Sequence, residues 1–173
     1  QKPFEQPQWL TNLIARFFER GSDLAQTFRA DWYNDTIDAA YQLPRLADGQ
    51  ELGLVVGNTR LLWEHFVAAL QSGAVEQFAS NPFDNWVTMQ IESIVSAVPV
   101  RLEMRYAHEL PPRRVSMIKL AQVSGLAWLS PAHLCIHPEF GPWFALRAVL
   151  VFDAPGPSGS ARSLPAISGA FPK

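Results

Sequence analysis

The most constraining feature of this sequence is a strict alternation of apolar and charged residues between Val100 and Tyr106. A period of two places successive side chains on opposite faces of a β-strand. The charged residues Arg101, Glu103 and Arg105 therefore predict a strand with one face in water and the other against a core. A fold for this chain must contain a sheet and a second layer that covers its apolar face.

Segments with apolar residues at helical spacing precede and follow this strand. Gly21 ends the first of them, Thr59 caps the second, and Asn81–Pro82 fits the start of the third, which Pro99 ends. The predicted helices cover residues 9–18, 59–70, 82–98 and 113–127. We expect the third helix to bury an apolar face, which consists of Trp86, Val87, Met89 and Ile94.

Three further apolar runs, at residues 51–56, 134–136 and 143–152, are typical of strands. The last two are joined by a six-residue turn at 137–142, which predicts a closing hairpin. Helices that alternate with strands and end in a hairpin indicate a layered α+β domain, with a central antiparallel or mixed sheet and flanking helices.

The composition excludes several classes of protein. The 173 residues are the size of one domain, and a hydrophobic content of 48% excludes disorder for most of it. A net charge of −2 provides no basic surface for nucleic acid. The single cysteine, Cys135, excludes a disulfide framework and all-cysteine zinc or iron–sulfur sites. Without a membrane-length apolar run or a signal-peptide pattern, we expect a cytoplasmic protein with no membrane or nucleic-acid partner.

The last twenty residues differ from the rest in composition. Residues 154–173 include four prolines, four serines and three glycines. Regular structure is costly in such a segment, because proline removes hydrogen-bond donors and glycine raises the entropy lost on ordering. We predict a domain over residues 1–153 and a loose tail or connecting segment over residues 154–173, which could lie along the domain.

The histidines and the cysteine do not form a recognisable metal or catalytic motif. His133 and His137 are four residues apart, but strand and turn residues flank them, which favours surface positions over a metal pair. Cys135 lies in an apolar strand, where an inert thiol is favoured over a nucleophile. Glycine-rich phosphate loops and the nucleophile elbow are absent. We expect no metal site built from this chain.

The segment from Leu134 to Arg147 has a different character from its surroundings. Two prolines and a glycine stiffen its turn, and three aromatic residues lie beside them, namely Phe140, Trp143 and Phe144. A flat apolar platform beside a rigid turn suits a large planar ligand, and Arg147 could bind an anion through its planar guanidinium group. A tight hairpin whose aromatic residues belong to the core is the plainer interpretation.

This segment closely resembles the signature hairpin of the cobalamin-processing cblC family, the methylmalonic aciduria and homocystinuria type C family. Residues 135–147 read Cys-Ile-His-Pro-Glu-Phe-Gly-Pro-Trp-Phe-Ala-Leu-Arg, against a family pattern of Cys-Ile-His-Pro-x-Phe-Gly-x-Trp-Phe-Ala-x-Arg. Weaker likenesses keep the family order upstream, at Trp32-Tyr33-Asn34, Leu43-Pro44, Leu54–Val56, Asn81-Pro82-Phe83-Asp84, Arg113-Arg114 and Val123-x-Gly125. The resemblance covers residues 8–153. A shorter stretch, 137–149, is also similar to the corrinoid-binding hairpin of reductive dehalogenases and epoxyqueuosine reductases, although their cysteine clusters are missing here.

The family resemblance implies a flavin nitroreductase-like fold that binds cobalamin with its lower base displaced from cobalt. The implied reactions are reductive decyanation of cyanocobalamin, with FMN or FAD as the electron source, and transfer of an alkyl ligand to glutathione. By its match to the family, Arg147 meets the glutathione carboxylate. The match places a further set at the corrinoid: Gln122, His133, Leu134, His137, Phe140, Gly141, Trp143, Phe144 and Leu146. The implied partners are a flavin reductase or a downstream cobalamin-dependent enzyme, and the fold analogy implies a homodimer.

Departures from the family pattern leave other functions open. Gln122 stands where animal members have a histidine, and the loop at 128–132 is shorter. The further arginines that meet glutathione lie beyond the aligned region, where this chain has Arg162 without a matching motif. Corrinoid binding is therefore better supported than thiol-dependent dealkylation. The alternatives are a corrinoid- or flavin-dependent reductase of another substrate, and a non-catalytic chaperone that carries cobalamin.

Overall fold

A four-stranded antiparallel sheet lies at the centre of the molecule, in a computed structural model that describes residues 4–76 and 80–162. The strands are β1 (Leu24–Arg29), β2 (Glu51–Asn58), β3 (Leu102–Tyr106), β4 (Trp128–Leu129), β5 (Cys135–Ile136) and β6 (Ala145–Pro155). The sheet has the order β1–β2–β6–β3, and all its neighbouring strands are antiparallel. The short strands β4 and β5 pair separately with each other.

Helices cover both faces of this sheet. They are α1 (Gln8–Glu19), α2 (Ala30–Asn34), α3 (Leu61–Gln71), α4 (Pro82–Val95) and α5 (Met117–Ser124), with a short 3-10 turn at Ala39–Tyr41. Apolar residues of α1, α3 and α4 form one core with Leu54 and Leu150, and those of α2 and α5 form a second core with Val55 and Val149. Adjacent residues of a strand enter different cores because their side chains alternate. This arrangement confirms the layered α+β fold.

The alternating segment at residues 100–106 contains β3, which lies at one edge of the sheet. The predicted face in water is present at Arg101, which is exposed, and at Glu103, whose side chain is 44% exposed, but not at Arg105, whose side chain is only 13% exposed. Arg105 and Glu103 lie opposite Val149 and Val151, which are core residues of β6. Their charges are instead satisfied locally, because Arg105 Nη1 donates to the carbonyl of Met104 at 2.8 Å and lies 3.3 Å from Glu103.

The predicted closing hairpin is also wrong. The strand at residues 135–136 pairs with β4 rather than with β6, so the turn at 137–142 connects two different sheets. Proline and glycine indicated the turn correctly, but they do not determine which strand pairs with which.

Details of the helices differ from the prediction. The helix expected from Arg113 begins only at Met117, where the Ser116 side chain accepts a hydrogen bond from the backbone of Lys119. In α4, Met89 is 66% exposed and Ile91 is buried in its place. Strand β1 was not predicted, because its sequence lacks a clear alternation.

The chain continues along the domain after β6. The Trp32 indole donates to the carbonyl of Gly159 at 3.3 Å, and the Arg162 backbone donates to the carbonyl of Val123 at 3.0 Å. These contacts lie within the segment predicted as a tail. Its remaining part, residues 163–173, lies outside the described residues. Within the described ranges, no helix has the length and apolar character needed to cross a membrane.

A buried carboxylate fixes the loop that leads into β2. Glu51 is 2% exposed, and its Oε1 accepts backbone hydrogen bonds from Leu46 at 3.1 Å, Ala47 at 2.6 Å and Gly49 at 3.0 Å. Burial alone would raise the pKa of the Glu51 carboxyl group, but the backbone donors together lower it. The loop is therefore stabilised by the ionised form of one side chain.

We expect Glu51→Gln to lower the free energy of unfolding by about 1–3 kcal/mol at pH 7, because charge-assisted hydrogen bonds are replaced by weaker neutral ones. Since the pKa of Glu51 is depressed in the folded state, this contribution is present above the ordinary value of 4.5 and is lost as the pH falls through the lower folded value. Urea unfolding at pH 7 and at successively lower pH measures the difference between the two proteins.

The control is Glu19→Gln at the exposed end of α1, which should change stability by no more than about 0.5 kcal/mol. A difference between wild type and Glu51→Gln that does not shrink as the pH is lowered would contradict the assignment.

Candidate functional site

An open groove of about 370 Å³ lies where the beginning of β6 meets the N-terminal ends of α3 and α4. Aromatic and basic residues dominate its lining, which comprises Asn58, Thr59, Arg60, Trp63, Phe83, Pro142, Trp143, Phe144, Ala145 and Arg147. The groove brings together three residues predicted from the sequence, namely Trp143, Phe144 and Arg147.

Exposed aromatic rings form the rim and wall of the groove. Trp143 is 82% exposed and Trp63 is 55% exposed. The rings of Trp63 and Phe83 lie 5.5 Å apart, and Phe66 packs against both from the core side. Large exposed aromatic surface is uncommon in a folded domain unless a ligand or partner covers it. Two of the three rings of the predicted aromatic platform, Trp143 and Phe144, therefore line the groove, together with two further rings that come from α3 and α4.

A β-bulge determines where Arg147 points. Val56 is paired with Ala148 and Gly57 with Leu146, so Arg147 is an extra residue without a partner on β2. Leu146 and Val149 pack in the same core although an odd number of positions separates them, because the bulge interrupts the alternation. Bulges are common beside functional sites, where they redirect a side chain.

The Arg147 side chain is held at its base and open at its end. Its Nε donates to Asn58 Oδ1 at 2.7 Å, and its guanidinium carbon lies 4.9 Å from the centre of the Phe83 ring. Nη1 lies 3.9 Å from Asp84 Oδ1, which is too far for a hydrogen bond. Burial lowers the pKa of Arg147, and the negative charge of Asp84 opposes this shift. The guanidinium group stays charged, because the ordinary pKa of arginine is far above neutral pH. In the described part of the chain, the Nη donors remain available to an anion.

The turn before β6 is closed by backbone hydrogen bonds and packs three rings together. The backbones of His137 and Gly141 exchange hydrogen bonds of 2.8 and 3.0 Å. The His137 ring lies 4.8 Å from the ring of Phe140 and 5.8 Å from that of Phe144. Burial lowers the pKa of His137 although Glu139 opposes it, and Nδ1 accepts backbone hydrogen bonds, so the neutral ring carries its proton on Nε2.

The other predicted site residues lie outside the groove. Leu146 packs against the second core, and Gln122 is half-buried on α5. His133 has a φ of 60° and sits with the exposed Leu134 in the loop between β4 and β5. Their predicted contacts with a corrinoid stay predictions.

Sequence reasoning did not assign several residues that line or support the groove. Asn58 is buried, and its side chain anchors Arg147. Gly57, inside an otherwise apolar strand, could have indicated the bulge. Phe83 and Asp84 belong to a segment that resembles the family, but their position beside Arg147 depends on tertiary packing.

The chain offers little for a metal of its own in this region. Among residues 4–76 and 80–162, there is no group of three or more histidine, cysteine or acidic side chains close enough to hold a metal ion. Burial raises the pKa of the Cys135 thiol, which makes it a weaker nucleophile at neutral pH.

Comparison with known proteins identifies the same family that the segment at residues 135–147 resembles. The model of the methylmalonic aciduria and homocystinuria type C family matches residues 24–158. Proteins named cyanocobalamin reductase / alkylcobalamin dealkylase are similar to the chain in Danio rerio (31% identity), Mus musculus (28%) and Homo sapiens (25%), each over 72% of this chain. The match covers 57% of the Danio rerio protein and 50% of the other two, so the chain spans about half the length of these curated relatives.

Solved structures extend the likeness to the fold. A B12-trafficking protein CblC from C. elegans superposes with a TM-score of 0.71 at 17% identity, covering 94% of this chain and 77% of that one. An epoxyqueuosine reductase superposes with a TM-score of 0.60 at 9% identity, covering 94% of this chain and 50% of that one. These likenesses confirm the nitroreductase-like fold. With a family model that matches most of its length, the chain belongs to the methylmalonic aciduria and homocystinuria type C family.

Proposed function

We propose that this chain binds cobalamin in its base-off form and removes the upper axial ligand. The substrates would be cyanocobalamin, by reductive decyanation, and alkylcobalamins, by transfer of the alkyl group to glutathione. The relatives that carry the names of these two activities support the proposal.

The observation that carries the proposal is the charged Arg147 at the base of an exposed aromatic groove. Flat apolar rings suit the edge and face of a corrin, while the guanidinium Nη groups suit a carboxylate. The groove is open and near the lower end of the usual 300–1,000 Å³ for small-molecule sites. A corrin ring is too large for a groove of this volume, so it would lie over the groove rather than inside it.

The chemistry asks little of the protein beyond position and environment. In decyanation, the cobalt–carbon bond breaks, cyanide leaves with the bonding pair, and one electron reduces cobalt(III) to cobalt(II). In dealkylation, a glutathione thiolate takes the alkyl group and the bonding pair stays on cobalt, giving cobalt(I). Loss of the lower base favours both reduced states, because these prefer fewer ligands. Arg147 would orient the thiol by binding its carboxylate.

A flavin would supply the electrons for decyanation. The groove also fits such a group chemically, since aromatic rings can stack on an isoalloxazine and the exposed Arg60 at its rim can meet a phosphate. The proposed flavin is FMN or FAD.

A carrier without turnover is the second candidate. The exposure of Trp143 favours it, because an open groove leaves bound cobalamin accessible to a receiving protein. The two candidates share the binding step and differ in the fate of the bound cobalamin, which the enzyme converts and the carrier releases unchanged.

We expect methylcobalamin to shift from its base-on to its base-off absorbance spectrum when titrated with the protein, saturating at one cobalamin per chain. Cyanocobalamin is titrated in parallel, and reduced flavin or glutathione is then added. Loss of the cyano or methyl ligand would support the enzyme, whereas binding without loss would support the carrier. Absence of any spectral change with both forms would overturn cobalamin processing.

Trp143→Ala should weaken methylcobalamin binding about fivefold or more, since an aromatic contact contributes about 0.5–1.5 kcal/mol beyond the area it buries. The unfolding temperature should not change, because Trp143 is largely exposed. Leu110→Ala, at a side chain that is 76% exposed, is the matched control and should bind normally. Unaltered affinity in Trp143→Ala would remove this ring from the corrinoid site.

Arg147→Ala should reduce kcat/KM for glutathione about 10- to 100-fold, the usual size of a lost charge-assisted hydrogen bond. Cobalamin affinity should change less than about threefold. The control is Arg101→Ala, an exposed arginine near the opposite end of β6, where its carbonyl accepts a hydrogen bond from Asp153. Equal losses of thiol-dependent turnover and cobalamin affinity would disprove the assigned role.

A further inference from the structure

A second, smaller pocket shares Arg147 with the aromatic groove. Its volume is about 180 Å³, below the usual range for whole small molecules. Polar and apolar surface both contribute to its lining, which comprises Asp84, Val87, Thr88, Tyr106, Ala107, His108 and Arg147. A pocket of this size and polarity suits one end of a ligand whose remainder lies in the adjacent groove.

Asp84 and Arg147 are neighbours in the lining of this pocket, without forming a close pair. Asp84 Oδ1 lies 3.9 Å from Arg147 Nη1, whereas a charge-assisted hydrogen bond is about 2.7–2.9 Å long. The separation leaves donors and acceptors of both groups available. The Asp84 side chain is 56% exposed and that of Arg147 is 23% exposed, so an entering ligand can reach both charges.

Both charged residues belong to regular structure. Asp84 belongs to the first turn of α4. Arg147 is fixed by Asn58 at its Nε, and its carbonyl accepts a hydrogen bond from the Ala107 backbone at 2.9 Å. The fold therefore places an anion beside an anchored cation, and such a pair of charges suits ligands with two opposite charges.

We infer that this pocket binds the zwitterionic α-amino-acid group of the thiol cosubstrate, with its ammonium on Asp84 and its carboxylate on Arg147. In an α-amino acid, one carbon atom separates the two charged groups, which matches two protein charges held 3.9 Å apart. The inference rests on the proposed use of a thiol. Glutathione carries such a group at its glutamyl end, and free cysteine carries one as well.

Asp84 also stabilises its own helix, and the experiment must distinguish this structural role from ligand binding. A carboxylate in the first turn of a helix interacts favourably with the helix dipole. Glu64 provides a matched case, since it lies in the first turn of α3, with its Oε1 3.8 Å from Nε of Arg60. Replacement of either acid removes a helix-terminal charge near an arginine, but Glu64 does not line the pocket.

The test is isothermal titration calorimetry of the full chain with glutathione and with glutaryl-cysteinylglycine, the same tripeptide without its α-ammonium group. We expect glutathione to bind the wild type about tenfold more tightly or better, in line with hydrogen bonds to charged groups. In Asp84→Asn the difference should fall to within about threefold, while Glu64→Gln should keep it. Cysteine binding as tightly as glutathione would support the same recognition with a free amino acid as ligand.

Equal affinity of the two tripeptides for the wild type would overturn the inference, and this comparison needs no variant. An undiminished preference in folded Asp84→Asn, or failure of the wild type to bind glutathione, would overturn it too. Methylcobalamin titration of the same samples separates the two proposals. A base-off shift without discrimination of the ammonium group rejects this pocket's role alone, and the absence of a shift rejects cobalamin processing.

Discussion

The pairing of β2 with β6 is the constraint on which the rest of this structure depends. Both strands lie inside the sheet, and helices pack on each face, so their side chains must alternate between two separate cores. Little space remains around these strands for larger side chains. A Cβ atom at Gly53 would lie 2.3 Å from the Phe28 ring, so a side chain there would displace β1. The absence of a side chain at Gly53 thus leaves the space that the Phe28 ring occupies.

The site arises where this pairing is interrupted. A regular strand would direct the residue at 147 toward the core that contains Val149, where an arginine would lose its hydration. The bulge directs it toward α4 instead. Gly57 allows this, because a Cβ there would lie 2.5 Å from the carbonyl oxygen of Ala145. The aromatic groove and the smaller pocket share one arginine for the same reason, since the redirected side chain extends between them.

The sequence predicted the helices, strands and turns better than it predicted which of them lie side by side. Periodicity in α1 and around β3 depends on local geometry, and the turn at 137–142 depends on the limited dihedral angles of proline and glycine, so these were recognised. The partner of β5, the cover over Arg105 and the position of Asp84 beside Arg147 depend on contacts between residues far apart in the chain, which local patterns do not encode. Hence Arg147 was identified as a candidate, whereas Asn58 and Asp84, which determine its orientation and charge environment, were not.

The order of the strands has a consequence for synthesis of the protein. Strand β2 ends at Asn58, and its central partner β6 begins only at Ala145. A growing chain therefore leaves the backbone hydrogen-bonding groups along one edge of β2 unpaired until most of the domain has left the ribosome. Long-range antiparallel pairing of this kind slows folding and leaves an unpaired edge open to association with other chains. The strand that carries Arg147 is also the one that completes the sheet, so a chain that ends before β6 would lack both the candidate site and the protection of its core.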